Sequence, residues 1–166
     1  SVVSEIRSVD RDGDDLIDHV YFGDLGGQIF RTDFNNKEKT IGSWAKAPIL
    51  IFDEHKANGK SPRFYDMPAF SLYNNNGSIF AVVSQGSGNR SAPLFADSSY
   101  DYDAIYNIYD KDVARTDLYN YDSVKNPLIT KNNKVDNVSG LRLINDDKRK
   151  DNTDGKGNIL YNAQAS

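Results

Sequence analysis

Short apolar segments separated by polar turns recur along most of this chain. They are rich in β-branched and aromatic residues and are bounded by Gly, Pro, Asn and Asp, a pattern typical of β-strands. We predict strands at residues 2–9, 19–24, 27–34, 48–53, 68–73, 78–84 and 104–110. Helical periodicity is absent apart from a turn or two near residues 112–119. The chain is therefore predicted to be all-β.

Turn residues and apolar spacing add detail to this pattern. Asp24–Gly27 and Asn74–Gly77 carry the residues that favour tight connections between strands. Residues 27–34 alternate only partly between apolar and polar side chains, so this strand is expected to pack on both faces. Together these features predict antiparallel hairpins.

The composition changes near Ser123. Residues 1–122 hold the predicted strands, whereas 123–166 are rich in Asn, Asp and Lys with only short apolar clusters. Residues 145–158 are polar throughout, which predicts an exposed loop. We therefore divide the chain into a β-sheet region at 1–122 and a loop-rich extension at 123–166.

Size, charge and hydropathy argue against several classes of protein. The chain has 166 residues, no cysteine and a formal net charge of −4, with a pI of about 5.1. Its acidic character argues against nucleic acid as a partner, and no apolar run is long enough for a membrane span. Ser1 is followed by no apolar leader, so we expect a mature piece or an excised fragment.

The nine residues Asp10–Asp18 carry the most specific chemical signal. Their aspartates include loop positions one, three, five and nine, namely Asp10, Asp12, Asp14 and Asp18. Ca²⁺ takes six to eight oxygen ligands, and calcium loops supply carboxylates at these positions with a backbone carbonyl at position seven. Position seven is Leu16, whose carbonyl could face the metal while its side chain enters a core.

The calcium loop departs from the EF-hand. An EF-hand needs Gly at position six and a bidentate Glu at position twelve, but this chain has Asp15 and Tyr21 there. The flanking residues favour strands rather than helices, so a strand–loop–strand hairpin is predicted. Gly13 is expected to adopt a backbone conformation that other residues resist, and Asp15 tolerates left-handed angles better than most.

Charge is consistent with a bound cation. Five aspartates and one arginine give the loop a formal charge of −4, equal to that of the whole chain. Carboxylates packed this closely repel each other unless a cation or water screens them. A solvated acidic turn is the simpler alternative, because Asp and Gly are also common turn residues.

A weak internal repeat suggests the wider architecture. The strings Gly-x-Ile-Phe at 27–30 and 77–80 each follow a turn and open a strand, fifty positions apart. Propeller blades are four-stranded sheets that repeat at about 40–50 residues. The strands here suffice for only part of a propeller, so the remaining blades would come from a longer parent chain or from a partner.

The segment Val9–Asp33 resembles the calcium-loop blade of the PilY/PilC-type proteins, the tip-associated adhesins of bacterial type IV pili. In that family an acidic loop like Asp10–Asp18 is followed by a pair of strands. The strand pair contains a Tyr, the string Gly-Asp-Leu and an ending of the form aromatic-Arg-x-Asp, and Tyr21–Asp33 has these features in the same order. Residues 81–94 and 104–110 resemble later strands of the same propeller.

This resemblance implies several properties. The fold would be part of a modified, quinoprotein-like β-propeller, represented by its late blades. Calcium would be held by Asp10, Asp12, Asp14, the Leu16 carbonyl and Asp18. The protein would be exported through the periplasm to the pilus tip and would contact minor pilins. It would support pilus biogenesis, twitching motility and attachment to a host or abiotic surface. Some members of that family also carry an integrin-type Arg-Gly-Asp string. The nearest string here is Arg11-Asp12-Gly13, which has a different order, so the resemblance does not imply integrin binding.

Two other classes of protein remain open at this point. A calcium-stabilised propeller could serve as an interaction module unrelated to pili, although further copies of the loop would then be expected. An enzyme is the other alternative, but the chain has only two histidines and lacks a Gly-x-Ser-x-Gly elbow. A quinoprotein would need tryptophan rings or adjacent cysteines against which the quinone cofactor stacks, but Trp44 is the single tryptophan and the chain has no cysteine. We therefore expect no catalysis.

Overall fold

The computed structural model describes residues 1–57, 61–93 and 103–120. Within them the chain forms seven strands and almost no helix. The strands are β1 (Arg7–Val9), β2 (His19–Gly23), β3 (Gln28–Asp33), β4 (Ile49–Asp53), β5 (Ala69–Asn75), β6 (Ser78–Gly86) and β7 (Ile105–Asp110). A four-residue helix, α1 (Ile41–Trp44), and a 3-10 helix (Asp112–Ala114) complete the elements.

The strands form two antiparallel sheets. The first has the order β1-β2-β3-β4 and the second the order β5-β6-β7. Each strand pairs with its neighbour in sequence, so both sheets are meanders. The predicted all-β class and its antiparallel hairpins are confirmed. All seven predicted strands are present, although β1 is shorter than the predicted segment at 2–9.

The two sheets pack against each other through an apolar core. Side chains from the first sheet, such as Tyr21 and Phe52, share one buried cluster with Tyr106 and Ile108 of the second. The rings of Phe52 and Tyr106 lie 5.1 Å apart between centroids. Burying large aromatic rings removes apolar area from water and is the main favourable term in such packing.

The β5–β6 connection is tighter than the sequence predicts. We expected a four-residue loop at Asn74–Gly77, but β5 continues to Asn75, which pairs with Ser78. Only Asn76 and Gly77 form the turn, both with positive φ, 51° and 89°. A two-residue turn of this kind matches the twist of the flanking strands, and Asn-Gly is the pair that adopts it most readily.

The connection between β2 and β3 depends on the Asp24 side chain. Its Oδ1 accepts hydrogen bonds from the backbone N–H of Gly26 at 2.8 Å and of Gln28 at 3.0 Å. Gly27 has φ of +81°, and a Cβ there would lie 2.8 Å from Pro62 Cδ. The turn predicted at Asp24–Gly27 is therefore confirmed.

Strand β3 has one fully buried face and one half-buried face. Ile29, Arg31 and Asp33 are buried, whereas the residues between them are half-buried. The partial alternation seen in the sequence arises because the buried face carries a charged pair as well as an apolar residue. The loop-rich extension predicted at 123–166 and the polar loop at 145–158 lie outside the described residues.

Candidate metal centre

The acidic loop connects the first two strands of the four-stranded sheet. It begins after Val9 at the end of β1 and ends before His19 at the start of β2, two residues that face each other across the strand pair. The backbone N–H of Asp18 donates to Val9 O at 2.9 Å and closes the base of the loop. The loop is thus a strand–loop–strand hairpin, as predicted.

The Asp10 carboxylate organises the tip of the loop. Its two oxygens accept backbone hydrogen bonds from Gly13 at 2.7 Å and from Asp15 at 2.9 Å. Gly13 and Asp15 both have positive φ, +80° and +66°, as expected for these positions. Short polar side chains and glycine adopt this region at the least cost, so the backbone can turn inward around Asp10.

Three carboxylates come together in the loop. One oxygen each from Asp10, Asp12 and Asp18 lies within 4.8 Å of the others. Oxygens bound to a single Ca²⁺ at about 2.4 Å are separated by at most about 4.8 Å, so these side chains meet the distance requirement for one ion. The donor set, three hard anionic oxygens, also fits the chemistry of calcium.

The other two predicted ligands, Asp14 and Leu16, contact each other in the loop. Asp14 is outside this group of carboxylates, and its Oδ1 accepts the backbone N–H of Leu16 at 2.9 Å. The Leu16 side chain is 49% exposed, so the expectation that it enters a core is wrong. The physical reason is that Leu16 lies at the solvent-facing part of the loop, where neither sheet covers it.

Asp18 is the buried member of the group. Its carboxylate accepts the backbone N–H of Arg11 at 2.8 Å and the side-chain amide of Asn36 at 3.2 Å. Asn36 in turn accepts the indole N–H of Trp44 at 3.1 Å. These contacts fix the position of Asp18, because each donor is held by a different segment of the chain.

Electrostatics favour the ionised form of Asp10. The hydrogen bond from the Gly13 N–H lowers the pKa of the Asp10 carboxyl, and the small loss of hydration opposes this effect. Asp10 is therefore held as a carboxylate, the form in which it binds a cation.

The loop also contacts the end of the second sheet. The Arg11 guanidinium donates to Val113 O, in the 3-10 helix that follows β7. Burial raises the pKa of Tyr119, the nearby positive charge of Arg11 lowers it, and the negative charge of Asp18 raises it further. Arg11 and Tyr119 are thus part of the electrostatic environment of the carboxylate group.

A buried ion-pair network lies next to the loop. Arg31 Nη1 donates to both oxygens of Asp110, at 2.7 and 2.6 Å, and Nη2 donates to Asp33 at 3.1 Å. Arg31 Nε also lies 2.9 Å from Asp33 without the alignment of a hydrogen bond, so this contact is ionic. Because Arg31 is on β3 and Asp110 on β7, the network joins the two sheets.

His19 and Tyr21 extend this network from β2. His19 Nδ1 lies 2.8 Å from Asp33 Oδ1, where the imidazole N–H donates to the carboxylate. The Tyr21 hydroxyl donates to Asp110 at 3.1 Å. Burial first, and then the charge of Asp110, raises the pKa of Tyr21. Burial alone would lower the pKa of Arg31, but the charges of Asp110 and Asp33 raise it.

Both histidines have structural contacts. His19 is fully buried, and His55, which is exposed, has its Nδ1 3.1 Å from Gly26 O. His19 therefore stabilises the start of β2, next to the acidic loop.

Sequence reasoning missed several residues around the site. The roles of Asn36 and Tyr119 leave no local signal, because each reaches the loop from another part of the chain. Arg11 is in the loop, but its side chain contacts Val113, 102 positions away. The pairing of Arg31 with Asp110 spans 79 positions. The only available signal was the presence of charged residues in apolar strands, which indicates a buried pair.

Comparisons with protein-family models, curated proteins and solved structures find no significant match to this chain. Among the described residues, no helix has the length and apolar character needed to cross a membrane.

Proposed function

We propose that Asp10–Asp18 is a calcium-binding loop and that this chain is a segment of a type IV pilus-associated adhesin without catalytic activity. The observation that supports calcium binding is the convergence of Asp10, Asp12 and Asp18 within 4.8 Å. The pilus assignment is supported by the resemblance of Val9–Asp33 to the calcium-loop blade of that family. The two sheets would be adjacent blades of a propeller that a longer parent chain or a partner completes.

Calcium has a structural role in this proposal. Asp10, Asp12 and Asp18 hold the ion, and the Leu16 carbonyl and Asp14 are the next candidates to complete its coordination. Bound calcium screens the carboxylates, while the ion-free loop retains their mutual repulsion. Extracellular calcium modules have dissociation constants of about 10⁻⁴–10⁻³ M, so millimolar calcium outside cells would occupy the site.

The size of the effect follows from binding linkage. Stabilisation equals RT ln(1 + [L]/Kd), which is about 1 kcal/mol when calcium is several times above Kd. For a chain of this size that corresponds to a rise of about 3 °C in Tm. Calcium would therefore adjust the stability of the loop region and leave the fold intact in its absence.

The test compares two variants that lose the same charge within the same loop. Asp12→Asn removes a carboxylate of the converging group, whereas Asp15→Asn removes one outside it and keeps a residue that tolerates positive φ. Calorimetric titration with CaCl₂ should show binding for the wild type and for Asp15→Asn, and at least about tenfold weaker binding for Asp12→Asn. Equal affinities in the two variants, or no binding by the wild type, would refute the proposal.

The variant Asp14→Ala tests whether Asp14 is a calcium ligand in addition to Asp10, Asp12 and Asp18. If Asp14 is a ligand, as the loop spacing predicts, this variant binds as weakly as Asp12→Asn. If only the converging group binds, calcium affinity changes little.

For the pilus assignment, the same two substitutions, Asp12→Asn and Asp15→Asn, are introduced separately into the parent gene. Only Asp12→Asn should reduce twitching motility. Normal motility after complete deletion of the gene would contradict this part of the proposal.

A further inference from the structure

The three-stranded sheet has one face that the first sheet does not cover. This outer face consists of the odd-numbered residues of β5 and β7 and the even-numbered residues of β6. None of these residues is buried. By contrast, the opposite face of β6 and β7, including Val83 and Ile108, packs into the core.

The outer face is free of charge. None of its residues is Asp, Glu, Lys or Arg, although 27% of the chain is charged. A row of aromatic rings crosses it, with Tyr73 and Phe80 5.7 Å apart between centroids and Phe80 and Tyr109 also 5.7 Å apart. Exposed rows of aromatic rings are typical of interaction sites in soluble proteins.

The edge of the same sheet is open as well. Among the described strands, β5 pairs only with β6, so its other side carries backbone groups without a strand partner. Six of its seven residues are exposed, and none is charged. Sheet edges are usually protected by charges, prolines or bulges against pairing with other chains. Strand β1 of the first sheet approaches β5 without pairing with it, and Arg7 Nε on β1 donates to Pro68 O at 3.0 Å, just before β5.

We propose that the outer edge of β5 pairs with β5 of a second copy of this chain. An identical strand satisfies the open backbone groups in an antiparallel arrangement about a two-fold axis, which is the commonest symmetry of protein dimers. The lack of charge allows two acidic chains to approach here without like-charge repulsion. This inference is independent of calcium binding.

The middle of the strand defines the axis. Leu72 is the central residue of Ala69–Asn75, so the two-fold places Leu72 opposite its own copy and Ser71 opposite Tyr73 of the second copy. The two sheets then form one six-stranded sheet whose outer faces are continuous. Tyr73 would lie at the centre of the resulting apolar surface.

Sedimentation equilibrium on the full chain tests this arrangement, over about 1 μM to about 1 mM. The wild type should show a concentration-dependent dimer. Leu72→Lys places like charges directly opposite each other and should raise the dissociation constant by about two- to fivefold. Ile79→Lys is the matched control, because Ile79 is 43% exposed on the same hairpin and Leu72 is 44% exposed, but Ile79 lies away from the axis.

Charge complementation gives a second readout that a folding defect cannot mimic. Leu72→Lys and Leu72→Glu should each be weaker dimers alone and should form a heterodimer when mixed. A wild type that stays monomeric over this range would overturn the proposal and would indicate that residues outside the described ranges cover the face. Equal weakening by Ile79→Lys, or no heterodimer in the mixture, would also overturn it.

Discussion

The buried network around Arg31 makes a quantitative prediction about stability. Arg31→Met removes the positive charge and leaves the Asp33 and Asp110 carboxylates, which are 3% and 0% exposed at their side chains. Breaking a buried ion pair by removing one partner costs about 3–5 kcal/mol, because the remaining charge is uncompensated. Domains are stable by only about 5–15 kcal/mol, so this variant should be severely destabilised.

A double-mutant cycle separates the ion pair from the loss of packing. Asp110→Asn keeps the shape of the side chain and leaves Arg31 paired with Asp33, so we expect a loss of about 2 kcal/mol. The double variant Arg31→Met/Asp110→Asn has one fewer uncompensated carboxylate than Arg31→Met. Its loss should therefore be smaller than the sum of the single losses by about 1–3 kcal/mol.

Urea unfolding followed by the fluorescence of Trp44, the single tryptophan, measures these free energies. The matched control is Arg90→Met, since Arg90 pairs with Asp66 and both side chains are 65% exposed. An exposed pair contributes little, so this variant should lose less than about 1 kcal/mol. If Arg31→Met cost no more than this control, or if the single losses were additive, the reasoning about the network would be wrong.

Two further predictions concern the hydroxyl of Tyr21 and the β5–β6 turn. Because the folded state raises the pKa of Tyr21, its contribution to stability is complete below the ordinary value of about 10 and is lost as pH rises above it. Urea midpoints between about pH 9 and about pH 11 should fall more steeply for the wild type than for Tyr21→Phe, and parallel curves would contradict this assignment. Gly77→Ala should cost about 1 kcal/mol, because Gly77 has φ of +89° while a Cβ there has no neighbour within 4 Å. Asn76→Gly is the control, because it changes the other turn residue with positive φ to the residue that adopts this conformation most easily. An equal urea midpoint for Gly77→Ala and the wild type would exclude a backbone cost.

The local sequence determined the secondary structure and the form of the acidic loop. Alternating apolar residues and turn residues are local signals, so all seven strands could be predicted from segments of a few residues. The positive φ at Gly13 and Asp15 also followed from residue type. The convergence of the carboxylates at Asp10 and Asp12 reflects their short separation within one loop.

Tertiary structure decided what lies around that loop. The side chains of Asn36 and Arg11 contact Asp18 and Val113 across 18 and 102 positions, and no pattern within a short window encodes such distances. The exposure of Leu16 and the pairing of Arg31 with Asp110 likewise depend on which surfaces the two sheets cover. Sequence periodicity tells which side chains share a face of a strand, whereas only the packing of one sheet on another decides which face is buried, because burial is a property of both surfaces together.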